Sequence, residues 1–181
     1  MSVGLNIGCG RIRIPGHLGV DLEPAPTVDI VADLLRFPWP FDDSSVDSIV
    51  AWHFLEHFPD MKLDLAMKEI HRILKSGGTL YVKVPYKERG PYNPYHFHVF
   101  NENSFGCWLG RSDEDPALQA HPTFRRVKQE IVVLGGFPFY HIRRYLPGLA
   151  QHLFEHDERG MFMRFPMGSA RELREWLVKP P

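Results

Sequence analysis

The sequence predicts an α/β protein with a largely parallel sheet. Two observations carry that expectation. Short, nearly continuous apolar runs such as Val3–Ile7 and Thr79–Val84 are bounded by glycine, proline or an acid, which marks strands buried on both faces. Between two of these runs lies one long segment with helical periodicity, so strands and crossovers alternate.

Taken in order, Val3–Ile7 reads as a buried strand ending at Gly8. His17–Asp21 is a second strand, and Val28–Ala32 a third, reached through the proline-rich Glu23–Thr27, which is too short for a helix. Ser45–Ala51 is a fourth. The first long helix is expected over Asp60–Ser76, with Asp60 as N-cap and Leu63, Met67, Ile70 and Leu74 at three- to four-residue spacing. Lys75 suits the helix C-terminus and Gly77-Gly78 is expected to stop it. Thr79–Val84 then forms a fifth strand, closed by Pro85.

Residues 86–123 change character. Prolines punctuate them, and Tyr86, Tyr92, Tyr95, Phe97 and Phe100 crowd one end, the pattern of a long functional loop. A short helix is expected near Glu102. Phe124–Leu134 reads as a strand broken by Gly135-Gly136, and Leu149–His156 as a helix. Glu172–Val178 fits a strand, with a helix fitting nearly as well. The chain reads as one domain over 1–181: a ligand-binding half to residue 85, an aromatic lid or substrate segment over 86–123, and C-terminal strands and helix over 124–181.

Composition narrows the function. The 181 residues carry 44% apolar and 24% charged residues, ordinary for a globular domain, and a net charge of −1. Such a balance offers no electrostatic case for nucleic acid or an anionic membrane, and Arg125-Arg126 and Arg143-Arg144 read as a solvated face. Cys9 and Cys107 make neither a disulfide framework nor a zinc site. With no leader-like start and no long apolar run, the expected location is cytoplasmic.

The chemistry-bearing feature is Leu5-Asn6-Ile7-Gly8-Cys9-Gly10 followed by Gly19-Val20-Asp21. A strand, a glycine turn and a second strand ending in a carboxylate hold a nucleoside well: glycines admit the ligand to the backbone, and the acid accepts from ribose hydroxyls. The stretch from Gly10 to Asp21 is too short for the full helix whose N-terminus a dinucleotide pyrophosphate needs. A nicotinamide-dependent oxidoreductase is thereby disfavoured.

Five passages in order resemble the class I S-adenosylmethionine-dependent methyltransferases, type 11 group. They are the glycine turn; Gly19-Val20-Asp21; Val31-Ala32-Asp33-Leu34 with Phe37-Pro38-Trp39-Pro40-Phe41 and Ser45–Ile49; His53-Phe54-Leu55-Glu56-His57-Phe58; and Glu69–Gly78, with Ser76 where the family has proline. The resemblance implies a Rossmann-like three-layer sandwich with a seven-stranded, mostly parallel sheet and a reversed final hairpin made by Phe124–Leu134 and Glu172–Val178. The chain departs from the family in three places. Ile12 stands near the third glycine, the first crossover helix has room for a turn or two at most, and the second crossover helix is absent. Closure of the cofactor is therefore assigned to the aromatic 86–100 segment or to a second subunit of a homodimer.

The resemblance implies S-adenosyl-L-methionine as cofactor and a small-molecule or glycan-type acceptor. Cofactor contacts are expected from Asn6, Gly8, Cys9, Gly10, Asp21, Leu22, Asp33, Leu34 and His53. Asp21 would take the ribose hydroxyls; Asp33 would take the adenine amino group, or else cap the turn at Leu34-Leu35. Phe37 and Trp39 fit the core better than an adenine stack, and Glu56 fits a loop brace. His53 is the candidate base, with His96, His98 and Tyr86 as weaker candidates near the acceptor. His96 and His98, with His53 and His57, could offer imidazoles to a metal, but no spaced cysteine or paired acid accompanies them and no metal site is expected. A non-catalytic cofactor-binding module is the alternative function, favoured by the shortened crossovers.

Overall fold

A computed structural model describes residues 3–59, 61–86, 93–109, 123–134 and 170–181. Seven strands form one sheet: β1 (Gly4–Ile7), β2 (His17–Asp21), β3 (Ile30–Val31), β4 (Val46–Trp52), β5 (Leu74–Pro85), β6 (Arg125–Leu134) and β7 (Ala170–Val178). Their order is β3-β2-β1-β4-β5-β7-β6. Neighbours from β3 to β5 run parallel, with Ile7 opposite both Val20 and Ala51. Strand β7 runs antiparallel between β5 and β6. The mostly parallel sheet with a reversed final hairpin is the expected one, and Glu172–Val178 resolves as strand.

Three elements differ from expectation. Strand β3 has only two residues, because Val28 N–H turns back to the Ala25 carbonyl. The helix, α1, spans Lys62–Ile73 and stops before Leu74, which is already extended. Leu74 pairs with Val46, and the ladder resumes at Ser48 and Thr79, so Gly77-Gly78 lie in an irregularity of β5 and do not end the helix. Near Glu102 the expected helix is a 3₁₀ turn at Gly106–Leu109. Asp60, Gly135-Gly136, Arg143-Arg144 and Leu149–His156 lie outside the described residues.

Helix α1 buries Leu63, Ala66, Met67, Ile70 and Ile73 along one face, the spacing that a 3.6-residue period demands. The four large side chains contribute about 1.5–3 kcal/mol each through apolar burial. Its last carbonyls all find donors. Ser44 N–H donates to the Arg72 carbonyl and Ser45 N–H to that of Ile73. Lys179 Nζ, beyond β7, donates to the carbonyls of His71 (2.9 Å) and Leu74 (2.7 Å). A helix that runs straight into a strand has no room for a glycine cap, and these partners replace it.

The C-terminal half carries buried charge. Glu175 is fully buried in β7 and takes Arg126 Nη2 and Gln129 Nε2 at 2.7 Å and Arg126 Nε at 2.9 Å. Arg126 is thus a structural ion-pair partner and not part of a solvated face. Glu172 holds Lys83 at 2.8 Å and Arg174 at 2.9 Å. Both cations offset the burial that would otherwise raise the Glu172 pKa, and it is held below the ordinary carboxylate value.

Candidate functional site

The strand order reverses between β1 and β4, where ligands enter open parallel sheets at the carboxyl ends of the strands. A cleft of about 140 Å³ opens there, lined by Gly8 after β1, Asp21 and Leu22 at the end of β2, Ala32–Leu35 after β3, and Phe54, His57 and Phe58 after β4. Its walls are apolar apart from two carboxylates and an imidazole, the composition usual for small-molecule sites.

Hydrogen bonds, not a helix, shape the glycine turn. Asp21 accepts from the N–H of Gly10 and of Leu22, both at 2.7 Å, one on each carboxylate oxygen. Asn6 is buried and donates from Nδ2 to the Ile12 carbonyl at 2.9 Å. Thr27 donates its hydroxyl to the Gly10 carbonyl. Asp29 accepts from Gly19 N–H at 2.8 Å and pairs with Arg13, which with the Gly19 bond holds its pKa low. Gly8 has φ +62°, and a Cβ there would sit 2.1 Å from the Phe54 ring. Only glycine tolerates both the left-handed backbone and that approach.

Asp33 does two things. Its Oδ1 accepts from Leu35 N–H at 3.0 Å, capping the turn, and the residue also lines the cleft. Leu34 gives its carbonyl to Trp39 Nε1 at 2.9 Å. Trp39 is buried beside Phe37, so both pack in the core. Glu69 and Arg72 fix the same connection: Glu69 accepts Trp39 N–H at 2.6 Å, and Arg72 donates to the carbonyls of Trp39 and Phe41 and to Asp43. Glu69 and Arg72 therefore hold the connection after Leu35 without lining the cleft.

Of the expected cofactor residues, Gly8, Asp21, Leu22, Asp33 and Leu34 meet in the cleft. Asn6 and Gly10 brace the turn behind it. Cys9 is buried with Sγ toward the Thr27 carbonyl, and burial, then Asp21, pushes its thiol pKa up. His53 is not a cleft-lining residue. Its ring lies between two buried acids, Nδ1 at 3.3 Å from Glu56 Oε1 and Nε2 at 3.6 Å from Glu172 Oε1. The Glu56 carboxylate, more than burial opposes, raises its pKa.

Tyr86 is buried and donates to Glu102 at 2.7 Å. His98 has a buried Nε2 and packs against Phe100, while His96 meets the His57 ring edge-on at 4.8 Å. The aromatic segment thus delivers one imidazole to the cleft's neighbourhood and turns the Nε2 of the other inward. With Ala32, Leu35 and His57, the cleft walls not foreseen are Phe54 and Phe58, whose rings meet edge-on at 5.0 Å. Their place inside the His53–Phe58 passage was the available signal.

Residues 5–82 match the family model described as a methyltransferase domain. No curated protein sequence matches the chain. Solved structures match along nearly its whole length. An S-adenosylmethionine-dependent methyltransferase from Archaeoglobus fulgidus is 15% identical with a TM-score of 0.61, over 98% of this chain and 86% of that one. The 1,6-didemethyltoxoflavin-N1-methyltransferase of Burkholderia thailandensis, with 1,6-didemethyltoxoflavin and S-adenosylhomocysteine bound, is 15% identical with a TM-score of 0.57, over 99% of this chain and 72% of that one. The cyclase SpnF is 18% identical with a TM-score of 0.57, over 99% and 74%. At such identities the fold is what is shared, and a cyclase on the same fold shows that fold alone does not name the reaction. The methyltransferase-domain signature over residues 5–82 and the sheet order together show this chain to have the Rossmann-like α/β fold that these S-adenosylmethionine-dependent methyltransferases share.

Proposed function

We propose that the protein transfers a methyl group from S-adenosylmethionine to a small-molecule acceptor, of metabolite or glycan type. The observation that supports this reading most is the cleft itself. It brings Gly8, Asp21 and Asp33 together from three different strand ends, at the sheet's reversal point.

The residues fit an adenosyl group. Each Asp21 oxygen spends one lone pair on a backbone N–H and keeps another for a ribose hydroxyl. Asp33 offers its carboxylate edge to the adenine amino group, and Leu22 and Leu34 supply apolar faces for the ring. Gly8 lines the cleft at the end of β1, where its backbone would face the methionine portion. The bound cofactor would supply a methyl group already activated on a sulfonium. What remains for the chain is alignment of the acceptor and, for an oxygen or nitrogen acceptor, removal of one proton. His53 is the residue we assign to that proton, from its place directly after β4.

Calorimetric titration with S-adenosylhomocysteine tests the proposal. Binding is expected, with its loss in Asp21→Ala and its retention in His53→Ala. No binding at high micromolar concentration, or preferential binding of NAD, would overturn it. Equal loss in both variants would remove His53 from the chemistry.

A further inference from the structure

Beside the cleft is a cluster the methyl-donor reading does not use. Glu56, His57 and His96 each offer a ligand atom, all within 4.8 Å of one another. Glu56 is 0% exposed and neither carboxylate oxygen accepts a hydrogen bond. An ionised carboxylate in that position is costly without a cation, and His53 at 3.3 Å meets only one oxygen. The geometry points to a divalent transition-metal site formed by Glu56, His57 and His96, with zinc-class ions as its ligand.

Local hydrogen bonds prepare the three residues. His57 Nδ1 lies 3.0 Å from the Tyr95 carbonyl, which can only accept. In the neutral ring Nδ1 then carries the proton and Nε2 keeps its lone pair, the form in which histidine binds metals. Phe97 N–H donates to the Glu56 carbonyl at 2.8 Å and His98 N–H at 3.4 Å, so the segment bearing His96 is tied to the backbone of Glu56 itself. Asn93 donates to His96 Nε2 at 2.8 Å and accepts Tyr95 N–H through Oδ1, which fixes the amide's orientation. Loading the site exchanges the Asn93 bond for a metal bond, or turns the His96 ring to present Nδ1.

The donor set decides the ion. Two imidazoles and one carboxylate suit zinc, cobalt, nickel, manganese or ferrous iron and not the oxygen-seeking calcium or magnesium. Bonds of about 2.0–2.1 Å place tetrahedral neighbours about 3.4 Å apart, so the side chains close by roughly 1 Å on loading. Three protein ligands leave at least one coordination position open. Because His57 also lines the cleft, an ion here borders the place where an acceptor must sit.

The test is metal binding by the intact chain, stripped with a chelator and titrated with Zn²⁺ against a chromogenic competitor, then with Co²⁺ to read ligand-field bands. One equivalent of each is expected to bind, with Mg²⁺ and Ca²⁺ failing to compete. Glu56→Gln, His57→Ala and His96→Ala should each lower zinc affinity by at least about 100-fold and shift or abolish the cobalt bands. His98→Ala should leave both unchanged. The half-exposed His96 is the variant least liable to disturb folding, and near-ultraviolet circular dichroism of all four checks it. Absence of a stoichiometric zinc site, or binding that survives His57→Ala and His96→Ala, overturns the inference. A parallel S-adenosylhomocysteine titration separates the two proposals: failure there breaks the cofactor reading and leaves the metal result standing.

Discussion

The two sides of the sheet are held together in different ways. On one side, β3, β2 and β1 have two, five and four residues. Their connections over 8–16 and 22–29 contain no helix, and single side chains bonded to turn backbone fix them: Asn6, Asp21, Thr27 and Asp29. On the other side, β5, β7 and β6 have twelve, nine and ten residues, with Glu175 and Glu172 paired to cations within the ladder. The short side forms most of the cleft and the long side carries the pairing. The contrast teaches that this fold can do without crossover helices beside the cleft, provided that polar side chains take over the turns.

The largest expected effect lies on the long side. Glu175→Ala leaves the largely buried Arg126 guanidinium without its partner, and should lower stability by about 3–5 kcal/mol in urea unfolding. If the comparison is right, the folded fraction still binds S-adenosylhomocysteine with wild-type affinity. Gly8→Ala should do the converse. Its methyl group collides with Phe54, an overpacking cost of about 1–3 kcal/mol, and ligand affinity should fall about 10- to 100-fold in titration. A variant that loses stability but keeps affinity would show that the Phe54 approach is not part of the site.

The smallest effect is a pH dependence at the junction. His71 stacks edge-on with Phe124 at 5.2 Å, near Lys179. Burial first, then the Lys179 charge, lowers its pKa in the folded state. The unfolded chain therefore takes up the proton first on acidification. This contribution to stability is present above the unfolded histidine value of about 6.5 and is lost as pH falls through it. Urea midpoints measured between pH 8 and pH 5 should fall less in His71→Gln than in wild type.

Much of the cleft side was legible in the sequence because its signals are local. A glycine turn, an acid at a strand end and the Asp33 turn each occupy a few adjacent residues, and the cleft gathers them. Long-range relations left no such trace. The start of β5 was hidden because Leu74 continues the apolar periodicity of α1, and only its pairing with Val46 decides between helix and strand. The partnership of Arg126 with Glu175 and the approach of His96 to His57 join residues 49 and 39 positions apart. No periodicity in the intervening chain encodes either.

Strand β7 follows every other strand in the chain, yet it lies inside the sheet between β5 and β6. Lys179 beyond it closes bonds to the carbonyls of His71 in α1 and Leu74 at the start of β5, across 108 and 105 residues. During vectorial synthesis the emerging polypeptide therefore presents β5 as an open edge, with the C-terminal carbonyls of α1 still lacking Lys179. Closures of such sequence separation are slow and leave strand edges exposed to other chains. The nascent protein accordingly has most need of a chaperone in the interval after β6 is made and before β7 inserts.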